Sequence, residues 1–188
     1  MKRYAIFIVL LVLGGFAAGC ISGETSPGTS TTQSMGPSGY TIINGTKIYF
    51  NELHFYMYGM KTCPHCRHMH TLIPATFGER SLTYYELVGN ATNDEIFREL
   101  SRLTGISGVP AIGITYQGKL RGVIEGEFNV SATPQIVYQA MKHSGVFLEV
   151  GGEWYILPYN DTKSQVYIGQ LYTIFVKNRL PKTNQTSG

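Results

Sequence analysis

The chain has 188 residues, of which 43% are hydrophobic and 14% charged, and its formal net charge is +3. The first nineteen residues carry two of the fifteen Lys and Arg and none of the twelve Asp and Glu, so the chain without them has a net charge of +1. So small a charge, with no basic stripe, excludes the electrostatic footprint of a nucleic-acid-binding protein.

The N-terminus predicts an export signal. Lys2 and Arg3 precede an almost unbroken apolar run over 4–13, and small residues then lead to Cys20. The run is too short for a comfortable membrane span and is typical of a secretory signal. The ending Ala-Ala-Gly-Cys20 resembles a lipobox, which implies a lipoprotein-type signal peptide over 1–19 and a lipid anchor on Cys20. The alternatives are an uncleaved anchor and a plain secretory signal, and all three predict an extracytoplasmic domain.

Residues 20–39 are rich in Ser, Thr, Gly and Pro, with hardly an apolar side chain. Such a stretch cannot bury enough surface to offset the entropy of ordering it. We therefore predict a flexible tether that holds a domain off the outer face of the membrane. About 150 residues follow the tether, enough for one domain with a hydrophobic core and a modest extension.

Five of the eight asparagines lie in Asn-x-Ser/Thr triplets, the acceptor pattern for N-glycosylation. At a Ser and Thr content of roughly 15%, about one such triplet is expected by chance. Each lies near a predicted turn or element end, where a glycan can project into water. The pattern predicts a glycosylated surface protein, and lipid with N-glycans favours an archaeal over a bacterial cell surface. The predicted sites are Asn44, Asn90, Asn129, Asn160 and Asn184.

The strand predictions come from alternating or β-rich runs and from turn residues between them. An Asn-Gly pair and a Gly-Gly pair each predict a hairpin turn, the second of them in the C-terminal segment 146–188. That segment is expected to form a hairpin and a helix over 162–177, an extension to which we assign no role. The predicted strands are 40–43, 47–50, 54–58, 82–88, 111–115, 120–125, 146–150 and 154–157.

Three helices are predicted between these strands. The first begins at Cys63. The second has a capping box of Thr92 and Glu95 and closes at Gly105, and the third is capped by Thr133. The order of elements over 54–144 is therefore β-α-β-α-β-β-α.

Apart from Cys20, the chain has two cysteines, Cys63 and Cys66. A structural disulfide framework needs more cysteines, spread further along the chain. On a helix, a three-residue spacing places both sulfurs on one face. Cys63 at the helix N-terminus meets unpaired N–H groups and the positive end of the dipole, which favour its thiolate. Cys66, one turn further in, would resolve a mixed disulfide formed by Cys63.

The two intervening residues are predicted to tune this pair. Pro64 suits the first helical turn because it has no N–H to leave unpaired. His65 can donate to the Cys63 thiolate and, when charged, favours it further. Stabilising the reduced form makes the disulfide a stronger oxidant. The predicted catalytic residues are thus Cys63, Pro64, His65 and Cys66, with the redox-active disulfide as sole cofactor and no metal.

The element order, with a Cys-x-x-Cys at the start of the first helix, resembles the thioredoxin fold. The tetrapeptide Cys-Pro-His-Cys over 63–66 is similar to that of DsbA-type oxidases, and the approach over 56–62 is more similar to glutaredoxins. The resemblance implies an α/β fold over 40–145, with a central mixed sheet flanked by helices.

A second mark of the family is the run Gly-Val109-Pro110-Ala. The resemblance implies that Pro110 is cis and lies against the cysteine pair, and that Val109 contacts the substrate backbone. Many relatives carry a buried acid six residues before the first cysteine, where this chain has Met57. The proton of Cys66 is then expected to pass to water or to one of three side chains: His54, Lys61 or Glu52.

These features predict an extracytoplasmic thiol–disulfide oxidoreductase that exchanges disulfides with exported proteins as an oxidase, served by a membrane redox partner. One alternative is a reductase or isomerase of the same fold. Another is a copper- or zinc-binding surface module built from Cys63, Cys66, His68 and His70, although a helix cannot bring both histidines to the cysteine face without distortion. A third is a binding or adhesion module in which the disulfide only staples the helix start.

Overall fold

The computed structural model describes residues 32–33 and 39–182, and this part of the chain has an α/β architecture. The strands are β1 (Thr32–Gln33), β2 (Tyr40–Ile43), β3 (Thr46–Tyr49), β4 (Leu53–Gly59), β5 (Leu82–Glu86), β6 (Ala111–Tyr116), β7 (Lys119–Glu125), β8 (Gly145–Val150) and β9 (Glu153–Pro158). The helices are α1 (Pro64–Phe77), α2 (Ala91–Thr104), α3 (Thr133–Lys142) and α4 (Thr162–Lys177).

The main sheet is mixed and has the strand order β5-β4-β6-β7-β8-β9. Strands β4 and β5 pair in parallel, with α1 as their crossover, and β7 and β8 also pair in parallel. The other neighbours are antiparallel. The central strand β6 is buried along its whole length, as expected for a strand covered on both faces. Strands β1 to β3 form a separate small antiparallel sheet.

Helices cover both faces of the main sheet, and each face has its own core. Alternate residues of β4 point to opposite sides, so Phe55 and Met57 join one core while Tyr58 joins the other. The first core is closed by α1, α3 and the small sheet, with Ile48 of β3 fully buried in it. The second is closed by α2 and α4, with Phe175 of α4 fully buried.

The C-terminal hairpin and helix form where they were predicted. The hairpin extends the main sheet, and the helix packs against one face of it. Strand β8 pairs with β7, β9 forms the outer edge, and α4 packs over the face that contains β6. Asp161 caps α4 through a 2.7 Å hydrogen bond donated by the backbone N–H of Ser164. Residues 146–177 therefore share one hydrophobic core with the central strands.

Two predicted helix caps were wrong. The N-cap of α2 is Asn90, whose side chain accepts a 3.0 Å hydrogen bond from the N–H of Asn93, so Thr92 lies inside the first turn. Asparagine is a better N-cap than threonine, and it comes first in the chain. Thr133 is the first residue of α3 and its hydroxyl is buried without a hydrogen-bond partner. A 3₁₀ turn capped by Asn129 leads directly into that helix instead.

The predicted glycan acceptors Asn44, Asn90, Asn129 and Asn160 are exposed at turns or helix starts. Within the predicted tether, Thr32–Gln33 pair with β2. The predicted signal peptide, Cys20 and Asn184 lie outside the described residues. No helix of residues 39–182 is long and apolar enough to cross a membrane.

Candidate active site

The cysteine pair lies where β4 ends and α1 begins. Cys63 is the N-cap of α1 and has extended backbone angles, and its sulfur accepts a 3.3 Å hydrogen bond from the N–H of Cys66. Pro64 is the first helical residue, as its missing N–H favours. Cys63 is partly exposed, whereas Cys66 is 1% exposed. Both are free thiols. The pair thus has an outer sulfur at the positive end of a helix and an inner sulfur behind it.

The buried thiol of Cys66 holds its proton tightly. Burial, then a hydrogen bond with the Cys63 sulfur, raises the pKa of Cys66 to about 12. A thiol with such a pKa stays protonated at neutral pH, so it can attack a disulfide only if another group accepts its proton.

The loop before β6 brings Val109 and Pro110 to the cysteines. The carbonyl oxygen of Val109 lies 3.8 Å from the Cys63 sulfur, across 46 positions of sequence. The Val109–Pro110 peptide bond is cis, as the resemblance implied, and Pro110 is buried. The backbone of Val109 therefore lies directly beside the Cys63 sulfur.

Glu125, at the end of β7, holds this loop in place. Its carboxylate accepts hydrogen bonds from the N–H groups of Ser107 at 2.8 Å, Gly108 at 2.7 Å and, in the β8–β9 turn, Gly151 at 2.9 Å. Burial by itself would raise the pKa of Glu125, but these N–H donors outweigh it and hold the pKa below its usual range. One carboxylate thus links the loop beside Cys63 to the C-terminal hairpin.

We expect Glu125→Gln to destabilise the fold at pH 7 by about 1–2 kcal/mol, because a neutral amide accepts these hydrogen bonds less well. Because the pKa of Glu125 is lower in the folded chain than in the unfolded chain, its carboxylate stabilises the fold above the unfolded pKa. This stabilisation is lost as the pH falls through the folded pKa. The unmodified chain should therefore lose stability below about pH 4.5, and the variant should lose less. Urea unfolding between pH 7 and pH 3 measures this. Glu95→Gln, at an exposed site on α2, is the matched control. If Glu125→Gln lost as much stability between pH 7 and pH 3 as the unmodified chain does, the role assigned to Glu125 would be wrong.

His65 does not make the expected hydrogen bond to Cys63. Its Nδ1 lies 2.7 Å from one carboxylate oxygen of Glu127, and Nδ1 of His68 lies 2.5 Å from the other. These two imidazoles hold the pKa of Glu127 below its usual range. A carboxylate is a stronger acceptor than a thiol, which explains the orientation of His65. The sequence did not single out Glu127, which lies 62 residues from His65 in the chain.

The residues of the predicted metal alternative do not converge. His68 is engaged by Glu127, and His70 packs edge-on against Tyr84 with ring centroids 5.0 Å apart. Within residues 39–182, no group of three or more His, Cys, Asp or Glu side chains is arranged to hold a metal ion.

Two of the three side chains predicted as proton acceptors for Cys66 are held elsewhere. His54 Nε2 is 2.8 Å from the Thr83 hydroxyl oxygen, and Glu52 accepts from Gln117 at 2.7 Å, both at the far end of β4. Lys61 is exposed beside the pair.

The titratable groups of β5 closest to Cys66 are instead Tyr84 and Glu86, which sequence reasoning missed. The parallel register of β4 and β5 brings them here, since Tyr84 pairs with Met57 and Glu86 with Gly59. The available signal was that both lie on the predicted strand 82–88, the first strand after the helix that carries the cysteines.

Comparison with known proteins gives no assignment, because no family model, curated protein or solved structure matches the chain. The chemistry available at the site follows from its own residues. A partly exposed sulfur at a helix N-terminus is suited to nucleophilic attack, and a buried thiol one turn away is suited to intramolecular displacement.

Proposed function

We propose that the chain is a thiol–disulfide oxidoreductase with a thioredoxin-like fold. The observation that carries this is the unequal pair at the start of α1. The accessible Cys63 sulfur lies at the helix N-terminus and accepts a 3.3 Å hydrogen bond from the backbone N–H of Cys66, whose own thiol is buried. A pair that only stapled the helix would not need one of its sulfurs to be accessible.

The thioredoxin-like fold is supported by three features together. The elements β4-α1-β5-α2-β6-β7-α3 follow the order on which the resemblance was based. The Cys-x-x-Cys run begins the first helix of this series, α1. The loop that ends at Pro110 precedes β6 and places the Val109 carbonyl beside Cys63.

In the proposed reaction, the Cys63 thiolate attacks a substrate disulfide and forms a mixed disulfide, which Cys66 resolves. The reverse sequence oxidises a substrate dithiol. Val109 and Pro110 position the substrate backbone. His65, whose ring is held by Glu127, tunes the potential of the pair. The redox-active disulfide is the only cofactor this chemistry requires.

We further propose that the domain works outside the cytoplasm, anchored by a lipid on Cys20 and glycosylated at its sequons. Its substrates would be thiols and disulfides of exported proteins, and a membrane redox partner would regenerate it. The Pro-His pair favours the oxidase direction over the reductase or isomerase direction.

We expect Cys66→Ala to trap substrate proteins on Cys63, because the resolving thiol is gone while the attacking one remains. Adducts that disappear with dithiothreitol, seen on non-reducing gels after reaction with a protein that carries an accessible disulfide, measure this. The double variant Cys63→Ala/Cys66→Ala is the control and should give none. A metal module would give no adducts from either variant and would lose bound metal instead.

The direction of electron flow is decided by the potential of the Cys63–Cys66 couple, measured against glutathione buffers. A value near about −120 mV supports the oxidase, whereas a value near about −270 mV would overturn that direction and leave the oxidoreductase class standing.

A further inference from the structure

We infer that Tyr84 and Glu86 form the proton path that serves Cys66, with the Tyr84 hydroxyl facing the thiol and the Glu86 carboxylate at the solvent end. This inference rests on the proposed function, since it concerns the step in which Cys66 resolves the mixed disulfide.

The need for such a path follows from the surroundings of Cys66. The thiol is 1% exposed, and burial holds its pKa near about 12, so direct loss of its proton to water is slow at neutral pH. The side chain six residues before Cys63 is Met57, which is fully buried and carries no proton-accepting group.

Gly59 locates Tyr84 relative to Cys66. A Cβ built on Gly59 would lie 3.2 Å from the Cys66 sulfur and 3.2 Å from the Tyr84 hydroxyl oxygen. The two atoms therefore line the same small space, within reach of each other directly or through one water. The absence of a side chain at position 59 keeps this space open.

Glu86 completes the path. Its Oε2 lies 3.2 Å from the Tyr84 hydroxyl, which donates to it. The carboxylate is held in place by the backbone N–H groups of Lys61, at 3.1 Å, and Val88, at 3.1 Å. Glu86 is only partly buried, so it can exchange protons with water.

The charged and titratable groups around the path are few. His70 of α1 packs on the Tyr84 ring, Lys61 lies beside Glu86, and the two cysteines lie at the inner end. Burial, then the charge of Glu86 and of the cysteines, raises the pKa of Tyr84. Tyr84 therefore stays neutral and can relay a proton only by receiving one as it gives one up.

The Cys66 thiol passes its proton to the Tyr84 oxygen as Tyr84 passes its own to Glu86. The Cys66 sulfur attacks the Cys63 sulfur of the mixed disulfide, the Cys63–Cys66 bond forms, and the substrate thiolate leaves and takes a proton from water. The pair is oxidised and the substrate disulfide is reduced. The reverse direction uses the same path to return a proton to Cys66.

The test uses the reduced full chain, with Cys20 replaced by Ser, in excess over 5,5′-dithiobis(2-nitrobenzoic acid). The first nitrothiobenzoate release reports attack by Cys63, and the second reports attack by Cys66. We expect Tyr84→Phe and Glu86→Gln to slow the second release about 10²-fold at pH 7 and to leave the first release unaffected. The second release should be nearly independent of pH around neutrality in the unmodified chain, and should rise about tenfold per pH unit in both variants, as direct thiol ionisation takes over.

The matched controls are Tyr85→Phe, which removes a hydroxyl that donates to Phe175 O on the other face of the sheet, and Glu52→Gln, at the far end of β4. Neither should change the second release. Tyr84→Phe and Glu86→Gln each test the same step. If one variant fails to fold, the other still tests the path. An unchanged second release and pH profile, or equal slowing in the controls, would overturn the path. Absence of any release in the unmodified chain would instead overturn the proposed function.

Discussion

Replacing Cys63 with Ser is expected to reduce thiol–disulfide exchange by at least about 10³-fold, because a hydroxyl cannot form the mixed disulfide on which both half-reactions depend. The fold should survive the change. The Cys63 sulfur accepts the N–H of Cys66 at the N-cap of α1, and serine is among the preferred N-cap residues. The substitution should therefore leave the free energy of unfolding unchanged or raise it slightly, so that any loss of exchange is chemical.

Two measurements on the same preparation separate these effects: the rate of exchange with oxidised glutathione, followed by mass, and the urea midpoint of unfolding. Cys20→Ser is the matched control, since it removes a cysteine that has no part in the proposed chemistry. If Cys63→Ser kept exchange close to the unmodified rate, or if Cys20→Ser abolished it, the assignment of Cys63 as the attacking sulfur would be wrong.

The geometry of the cysteine motif could be predicted because it depends only on residues that are neighbours in the chain. A proline after Cys63 starts the helix at Pro64. Cys66, three residues after Cys63, falls on the same face, one turn deeper and buried. The bounds of α4 were likewise predictable from local signals. Asp161 caps the start of the helix, and Asn178, in the left-handed conformation, ends it.

The groups that surround the cysteines could not be predicted, because strand register and loop packing bring them there. Glu127 reaches His65 across 62 positions, and Glu86 reaches Lys61 across 25. No local pattern marks these carboxylates among the others in the chain. His65 accordingly contacts Glu127, whereas its position beside Cys63 had indicated the Cys63 sulfur as its partner.

The place of the C-terminal segment was also beyond local reasoning. The hairpin turn at Gly151-Gly152 is a local signal. The parallel pairing of β8 with β7 depends instead on the α3 crossover and on the space left beside the sheet. A segment predicted as an extension therefore supplies two strands of the six-stranded sheet and the helix that covers β6.

The contact between that helix and β6 predicts the largest effect on stability. A Cβ on Gly113 would lie 2.5 Å from Cγ and 2.9 Å from Cβ of Phe175, atoms near the helix backbone that cannot swing away. We expect Gly113→Ala to lower the free energy of unfolding by about 3 kcal/mol, toward the upper end for an overpacked core. Phe175 is fully buried, so α4 itself would have to move.

Gly169, in the middle of α4, gives the matched control for Gly113→Ala. No heavy atom lies within 4 Å of a Cβ built there, so Gly169→Ala should raise the free energy of unfolding by about 0.5–1 kcal/mol through helix propensity alone. The same substitution should thus have opposite effects on stability at Gly113, beneath α4, and at Gly169, on the exposed side of α4, as measured by urea unfolding. The exchange rate per folded molecule should stay constant in both variants, because neither glycine lies at the cysteines. A Gly113→Ala chain as stable as the unmodified one would mean that α4 does not pack on β6, and that the core beneath the Val109–Pro110 loop is built differently.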